Sequence, residues 1–331
     1  MLLDVRGLNV QLRQGSQSVK IVRDLDLHID RGEIVGLIGE SGSGKSVTAR
    51  SLIRLLPPTA QVSGDIIFGG QNVLSMDRRS VTRHRSENVG FIFQDAAAHI
   101  NPVRTVGDFM TEAAILTRGE SKDLAWRQAA TALEEVGVSE PGRRLRQYPH
   151  QLSGGMLQRV MIATVLASEP RLIIADESTT ALDLITQSEV VAILREARDS
   201  RGASILFISH DLELAAATCD RTAVMYAGSI VEEGPSPLIV GRPSHPYTAA
   251  LVESRPRLDA EVRRLATIPG RPAAAFEAPE GCAFSNRCVY VQPDCSASRP
   301  RLVPFAAGSV ACHYASDLPE VLGEGWVAES D

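Results

Sequence analysis

The stretch Gly39-Glu40-Ser41-Gly42-Ser43-Gly44-Lys45-Ser46 has the composition of a phosphate cradle. Its glycines let successive backbone N–H groups turn inward around phosphate oxygens. Lys45 can neutralise β- and γ-phosphates, and the Ser46 hydroxyl can ligate Mg2+. A helix opening at Lys45 and running through Val47 adds its positive end. Further along, Asp176 and Glu177 close an apolar run. There Asp176 suits Mg2+, held directly or through water, and Glu177 suits an attacking water that needs polarising. Gln94 follows Phe91-Ile-Phe93 and can touch the metal or the water. His210 follows Ile205-Leu-Phe-Ile208 and can reach the γ-phosphate. Leu152-Ser153-Gly154-Gly155 opens another helix, whose bare N–H groups and dipole make a second phosphate receptor. The chain's own loop already holds one nucleotide, so this receptor is expected to face the nucleotide of a second subunit.

These groups need a scaffold that brings distant segments together. Residues 3–12 and 19–30 alternate as strands of an antiparallel sheet. Glu33-Ile-Val-Gly-Leu-Ile-Gly39 reads as a buried strand entering the glycine-rich loop, and Lys45 to Leu56 as a helix stopped by Pro57-Pro58. Strand, loop and helix are the context that a phosphate-binding loop requires. Val106 to Tyr148 reads as helical, with Ala125, Ala129, Ala132, Leu133 and Val136 on one face. This is expected to be a helical subdomain, about residues 95–165, inserted into the nucleotide core. Strands return at Arg171–Ala175 and Ser204–Ser209, around a helix through Glu189–Asp199. That alternation makes the core α/β. Arg221–Glu233 reads as a hairpin turning at Ala227-Gly228-Ser229. Beyond Gly234 the periodicity fades. The expected division is a nucleotide-binding domain over 1–240 and a small extension over 241–331.

The chain has 331 residues, 44% of them hydrophobic and 22% charged, with a formal charge of −6. This is globular composition, and its acidity counts against a nucleic-acid surface. No apolar run reaches the ~18–20 residues that span a bilayer, and Asp4 and Arg6 interrupt any leader-like start. A cytosolic chain is expected, with any membrane role exercised through a partner.

Four of the five cysteines cluster as Cys282, Cys288, Cys295 and Cys312, while Cys219 stands apart as a core residue. Disulfides are not expected in a reducing cytosol, and four thiolates need a cation to hold them together. The gaps are wider than in common zinc knuckles, and suit an iron–sulfur cluster about as well as zinc. Unligated buried thiols are the third reading.

In their order along the chain, the motifs resemble those of the ATP-binding-cassette (ABC) ATPases, with Leu152–Gly155 as the signature motif. More narrowly, Tyr148-Pro-His-Gln-Leu-Ser-Gly-Gly-Met156, Asn101-Pro102, Met225-Tyr-Ala-Gly228, His245-Pro-Tyr-Thr248 and Ile268-Pro-Gly270 are similar to the ATPase subunits of oligopeptide and dipeptide permeases. The resemblance implies an ABC-type core with an antiparallel β subdomain, an inserted α-helical subdomain and a cysteine-rich tail carrying a 4Fe–4S site, with zinc as the alternative. It implies ATP and Mg2+ as ligands, and a place on the cytoplasmic face of a bacterial plasma membrane. Its partners would be a second cassette, often non-identical, two membrane permease subunits and an external substrate-binding protein. Asp183 would contact the opposite subunit's phosphate loop. A soluble ABC ATPase acting on nucleic acid or ribosomes, or an importer of nickel or another small solute, is the competing reading. Three departures stand out. Leu12 occupies the place of an aromatic residue that stacks on adenine, which leaves either weaker adenine affinity or stacking by Arg13; Ala96 and Ser178 replace prolines, and Leu157 replaces an arginine.

Overall fold

The computed structural model describes residues 1–15, 17–177, 184–254, 268–318 and 322. Strands β1 (Leu3–Gln14) and β2 (Gln17–Ile29) form a long antiparallel pair, and β3 (Ile34–Ile38) leads into helix α1 (Lys45–Leu52). Strands β4 (Gln61–Phe68) and β5 (Gln71–Asn72) complete a four-stranded sheet in the order β2-β1-β4-β5. Helix α2 (Arg78–Glu87) and strand β6 (Val89–Ile92) follow. Next come α3 (Ala96–His99), α4 (Val106–Leu116), α5 (Lys122–Glu135), α6 (Pro141–Arg144) and α7 (Gly154–Leu166). Strand β7 (Leu172–Asp176), helix α8 (Leu184–Arg201), strand β8 (Ser204–Ser209) and helix α9 (Leu212–Thr218) restore the α/β alternation. The hairpin β9 (Arg221–Tyr226) and β10 (Ser229–Pro235) precedes α10 (Ser236–Gly241) and α11 (Pro246–Glu253). The tail holds α12 (Pro293–Ala297) and the short strands β11 (Val303–Phe305) and β12 (Gly308–Val310).

The second sheet has eight strands in the order β11-β12-β10-β9-β3-β8-β7-β6. Strands β6, β7, β8, β3 and β9 run parallel, and the remainder are antiparallel. Every residue of β3, β7 and β8 is buried. Parallel strands covered on both faces read as continuous apolar runs, which is why these three were conspicuous in the sequence. Alternate residues serve opposite layers. Val35, Leu37, Leu172, Ile174, Leu206 and Ile208 pack toward the antiparallel sheet and α1. Ile34, Ile38, Ile173, Ala175, Ile205 and Phe207 pack toward the helices.

The helical expectation over Val106–Tyr148 is met by α4, α5 and α6, and the face named from Ala125 to Val136 is buried throughout. Ser121 caps α5, and Ser153 caps α7 by accepting the Met156 N–H. The turn between β9 and β10 has Ala227 at φ 42° and Gly228 at φ 87°, the two positive angles that a tight hairpin turn demands. Helix α1 ends at Leu52, short of the expected Leu56, because Arg54 enters the left-handed region ahead of the prolines. The β11–β12 hairpin has no counterpart in the sequence reading. Each strand has three residues, too few for a period to show. Through it the tail adds two strands to the central sheet. Among the described residues no helix is long and apolar enough to cross a membrane.

Candidate nucleotide site

The carboxyl ends of the parallel strands gather the chemistry, as open α/β sheets do. The loop after β3 wraps to α1 through Gly42 at φ 81° and Gly44 at φ 107°. A Cβ on Gly39 would fall 2.1 Å from the Met225 carbonyl oxygen, so no side chain fits there. Lys45 is buried, and its Nζ donates to the carbonyl oxygens of Gly39 at 2.7 Å and Glu40 at 3.0 Å. Burial pulls its pKa down, while Glu177, Asp176 and Glu40 oppose the shift. Ser43 Oγ is buried with no hydrogen-bond partner among the described residues. An unanswered polar atom inside this loop fits a loop that binds a polyanion.

Ser46 Oγ donates to Asp176 Oδ1 at 2.8 Å. Burial raises the Asp176 pKa, and the Ser46 hydrogen bond is the largest effect opposing it. A hydroxyl and a desolvated carboxylate side by side are oxygen donors of the kind Mg2+ takes, with Gln94 close by. Glu177 lies 3.8 Å from Lys45 Nζ and accepts from Gln94 Nε2 at 2.8 Å. Its own N–H donates to the Ile208 carbonyl at 3.1 Å, which ties the end of β7 to β8. Its φ is 45°, a left-handed conformation that costs on the order of 1–3 kcal/mol for a residue with a side chain and concentrates at functional sites.

A cavity of about 390 Å³ is lined by Ser41, Gly42, Gly44, Lys45, Ser46 and Val47, with Gln94 and Glu177 at one side. Two predicted groups lie elsewhere. His210 is exposed at the end of β8 and does not line the cavity. Ser153 and Gly154 stand exposed at the start of α7, and nothing lies within 4 Å of a Cβ built on Gly154 or Gly155. Asp183 lies outside the described residues.

Sequence reading missed the grip of the tail on the phosphate loop. Arg287, only 5% exposed, holds the Glu40 carboxylate with two nitrogens, Nη1 at 2.8 Å and Nη2 at 3.3 Å. The same guanidinium donates to the Pro269 carbonyl and packs over the Tyr226 and Phe284 rings. The Glu40 N–H donates to Tyr247 Oη at 2.9 Å. Losing one partner of such a pair costs on the order of 3 kcal/mol, the low end for buried pairs because Glu40 keeps a fifth of its surface in water. A contact across 247 residues leaves no local trace in the sequence. Tyr247 did carry a signal, since it sits in the His245–Thr248 motif.

The four cysteines are gathered as expected, without a metal-holding arrangement among the described residues. Cys282, Cys288, Cys295 and Cys312 do converge on one cavity, together with His245 and Phe284. Its volume is about 20 Å³, room for roughly one water-sized atom. Burial pushes the Cys282 thiol up to about 11 and Cys288 up to about 12, and raises Cys312 as well. Among the described residues no group of three or more His, Cys, Asp or Glu is arranged to hold a metal ion. Four thiols meeting at one cavity are the donor set that a 4Fe–4S cluster or zinc takes, without the arrangement of a formed site. Cys219 is a core residue as expected, its thiol pushed up to about 12 by burial.

Comparison with known proteins decides the family. A model described as ABC transporter matches residues 22–180, and one described as the C-terminal region of oligopeptide/dipeptide transporters matches residues 231–295. The oligopeptide transport ATP-binding protein OppD of Escherichia coli is 39% identical over 312 residues, 94% of this chain and 92% of that protein. The chain belongs to the oligopeptide/dipeptide branch of the ABC transporter ATPases. The OppD of Haemophilus influenzae is similar at 38% identity, over 93% of this chain and 95% of its own length. The ABC transporter cassette MJ0796 has been solved as a dimer, including a post-hydrolysis state bound to ADP and Pi. It superposes with a TM-score of 0.64 at 27% identity, over 71% of this chain and 99% of its own. The ABC-type α/β core expected from the motifs is thus the fold observed, and the family's chemistry is ATP hydrolysis coupled to transport.

Proposed function

We propose that this subunit is the motor of a bacterial peptide importer. The observation that carries the reading is a separation within one chain: the phosphate cradle and the glycine-opened start of α7 are both formed, yet only the cradle lines the cavity. In this reading a second, homologous cassette, non-identical in the native complex, supplies the missing receptor. Ser153, Gly154 and Gly155 of this chain then cover the triphosphate held by the partner's phosphate loop, and the partner's corresponding helix start covers the one held by Gly39–Val47.

The geometry around the cradle supports the roles proposed for Lys45, Ser46, Asp176, Gln94 and Glu177, and the family resemblance those proposed for His210 and Asp183. Lys45 leaves the carbonyls of Gly39 and Glu40 to meet β- and γ-phosphates. Ser46 and Asp176, with Gln94, would hold Mg2+, whose charge stabilises the developing charge of phosphoryl transfer. Glu177 is the group that draws a proton from the attacking water, and Gln94 keeps its carboxylate aimed. His210 steadies that water once the subunits close. Asp183 joins the two sites across the interface.

The loop after Gln94, where Val103 is 78% exposed, is the proposed docking segment for a permease subunit, as the family resemblance implies. Two permease subunits, fed by an extracellular binding protein, would keep the chain peripheral on the cytoplasmic face of the membrane. Dipeptides or oligopeptides are the proposed cargo, supported by the match that runs through the tail. The test is co-purification with membrane subunits, reconstituted in vesicles. ATPase activity is expected to rise several-fold with peptide-loaded binding protein. Activity indifferent to loaded binding protein would overturn the reading.

The convergence of the four thiols supports a cation site in the tail, with a 4Fe–4S cluster ahead of zinc. In the present arrangement either group would have to be built in as the tail folds around it. Iron and acid-labile sulfide near four per chain are expected on analysis of anaerobically purified protein. Stoichiometric zinc would assign the alternative, and neither metal would leave the quartet as buried thiols.

A further inference from the structure

The nucleotide cavity has a lining of two chemically distinct parts. Ser41, Gly42, Gly44, Lys45, Ser46, Gln94 and Glu177 make up the polar part of its lining, and Leu12, Ile21, Val47, Ala274, Ala275 and Phe276 the apolar part. A nucleotide needs both: anion ligands for its phosphates, and an apolar, preferably aromatic, surface for its base. Leu12 offers no ring. Phe276 does, and it is the aromatic residue among the side chains that line this cavity.

Phe276 is 47% exposed, while its neighbour Ala275 is 1% exposed. The contrast shows how the short 3-10 turn Ala275–Glu277 is held. Ala275 plugs into the hairpin turn at Gly228, where a Cβ on that glycine would come within 2.9 Å of the Ala275 Cβ. Gly228 in turn donates its N–H to the Ser43 carbonyl of the phosphate loop at 2.8 Å. Glu277 pairs with Arg271 at 2.8 Å, and its N–H closes the turn on the Ala274 carbonyl at 2.9 Å. The turn is thus fastened to the phosphate loop, with an unburied ring displayed over the cavity. Its exposed face has no packing role in the fold, and a stacked base would cover it.

We infer that Phe276 is the base-stacking residue of this site, so that the C-terminal tail completes the ATP pocket at the position where Leu12 cannot. The tail then acts on the nucleotide at both ends: Arg287 braces the phosphate loop through Glu40, and Phe276 receives the adenine.

The experiment measures binding of MgATP and of inorganic tripolyphosphate, by calorimetry, to the full chain and to two variants. Phe276→Ala is expected to weaken MgATP about tenfold, within the range for losing a base–aromatic stack, and to leave tripolyphosphate within about twofold. Phe276→Trp is expected to restore MgATP affinity, and its added indole emission to change on MgATP but not on tripolyphosphate. An unchanged MgATP affinity in Phe276→Ala would overturn the inference. So would an equal loss for tripolyphosphate, which would mark a residue that merely organises the loop. The Phe276→Trp signal is an independent measure should the alanine variant fold poorly, and indole emission indifferent to saturating MgATP counts against stacking.

Discussion

Replacing Glu177 with Gln is expected to lower ATP hydrolysis by roughly 10²- to 10³-fold while ATP binding is retained, the loss typical of removing a general base. The amide has the carboxylate's shape. It can still accept from Gln94 Nε2 at 2.8 Å, and the left-handed backbone at φ 45° is unaffected. What it cannot do is take a proton. The substitution also removes one negative charge 3.8 Å from Lys45. In the free subunit Lys45 loses a partner; with ATP bound, the phosphates meet that need. The variant should therefore favour the nucleotide-loaded form and accumulate a closed dimer. Size-exclusion chromatography with and without MgATP, beside a phosphate-release assay, reads both consequences. The assay uses the variant alone, so no intact cassette can contribute turnover. Release at the wild-type rate would refute the role given to Glu177.

How much of this site was legible in the sequence depended on the range over which each residue acts. The phosphate loop was readable because its requirements are local. Gly39 has a carbonyl in the space of its Cβ, and Gly42 and Gly44 need positive φ, so their spacing is written into eight consecutive residues. Strands β3, β7 and β8 were readable because burial on both faces leaves unbroken apolar runs. The order of the motifs then carried the family. The tail was not readable in this way. Arg287 and Phe276 act on a loop more than 200 residues away, and no periodicity marks a residue whose partner is distant. The four cysteines were legible as a cluster, and they do meet. What spacing cannot supply is the distance between sulfurs, and among the described residues they are not arranged to hold a metal ion. His210 and the start of α7 were placed correctly on their elements, but the chemistry proposed for them needs a closing motion or a second chain that one subunit does not contain.

Gly155→Asp is expected to abolish hydrolysis without unfolding the chain. Nothing lies within 4 Å of the new Cβ, and an acidic residue in the first turn of α7 meets the favourable end of the helix dipole. The melting temperature should stay within about 2 °C of wild type, or rise slightly, as surface changes away from packing usually do. ATP binding to the variant's own phosphate loop should also persist, because Gly155 does not line that cavity. Hydrolysis should nevertheless fall at least 10²-fold, since the added carboxylate would stand against the triphosphate of the opposing subunit. Mixing separates a shared site from a local one. Lys45→Ala disables the phosphate loop and leaves α7 intact, and Gly155→Asp does the reverse. A mixed dimer then has one site with both halves sound and one with both damaged. With random pairing, half the dimers are mixed and each has one of two sites working, so about a quarter of wild-type activity should return. Were both residues needed by the same subunit's nucleotide, no mixture of the two variants could recover anything. In a preparation shown by size exclusion to dimerise with MgATP, silence on mixing would therefore place the glycine-opened helix on its own chain's ATP, or on no ATP at all, and remove the reason for a second cassette.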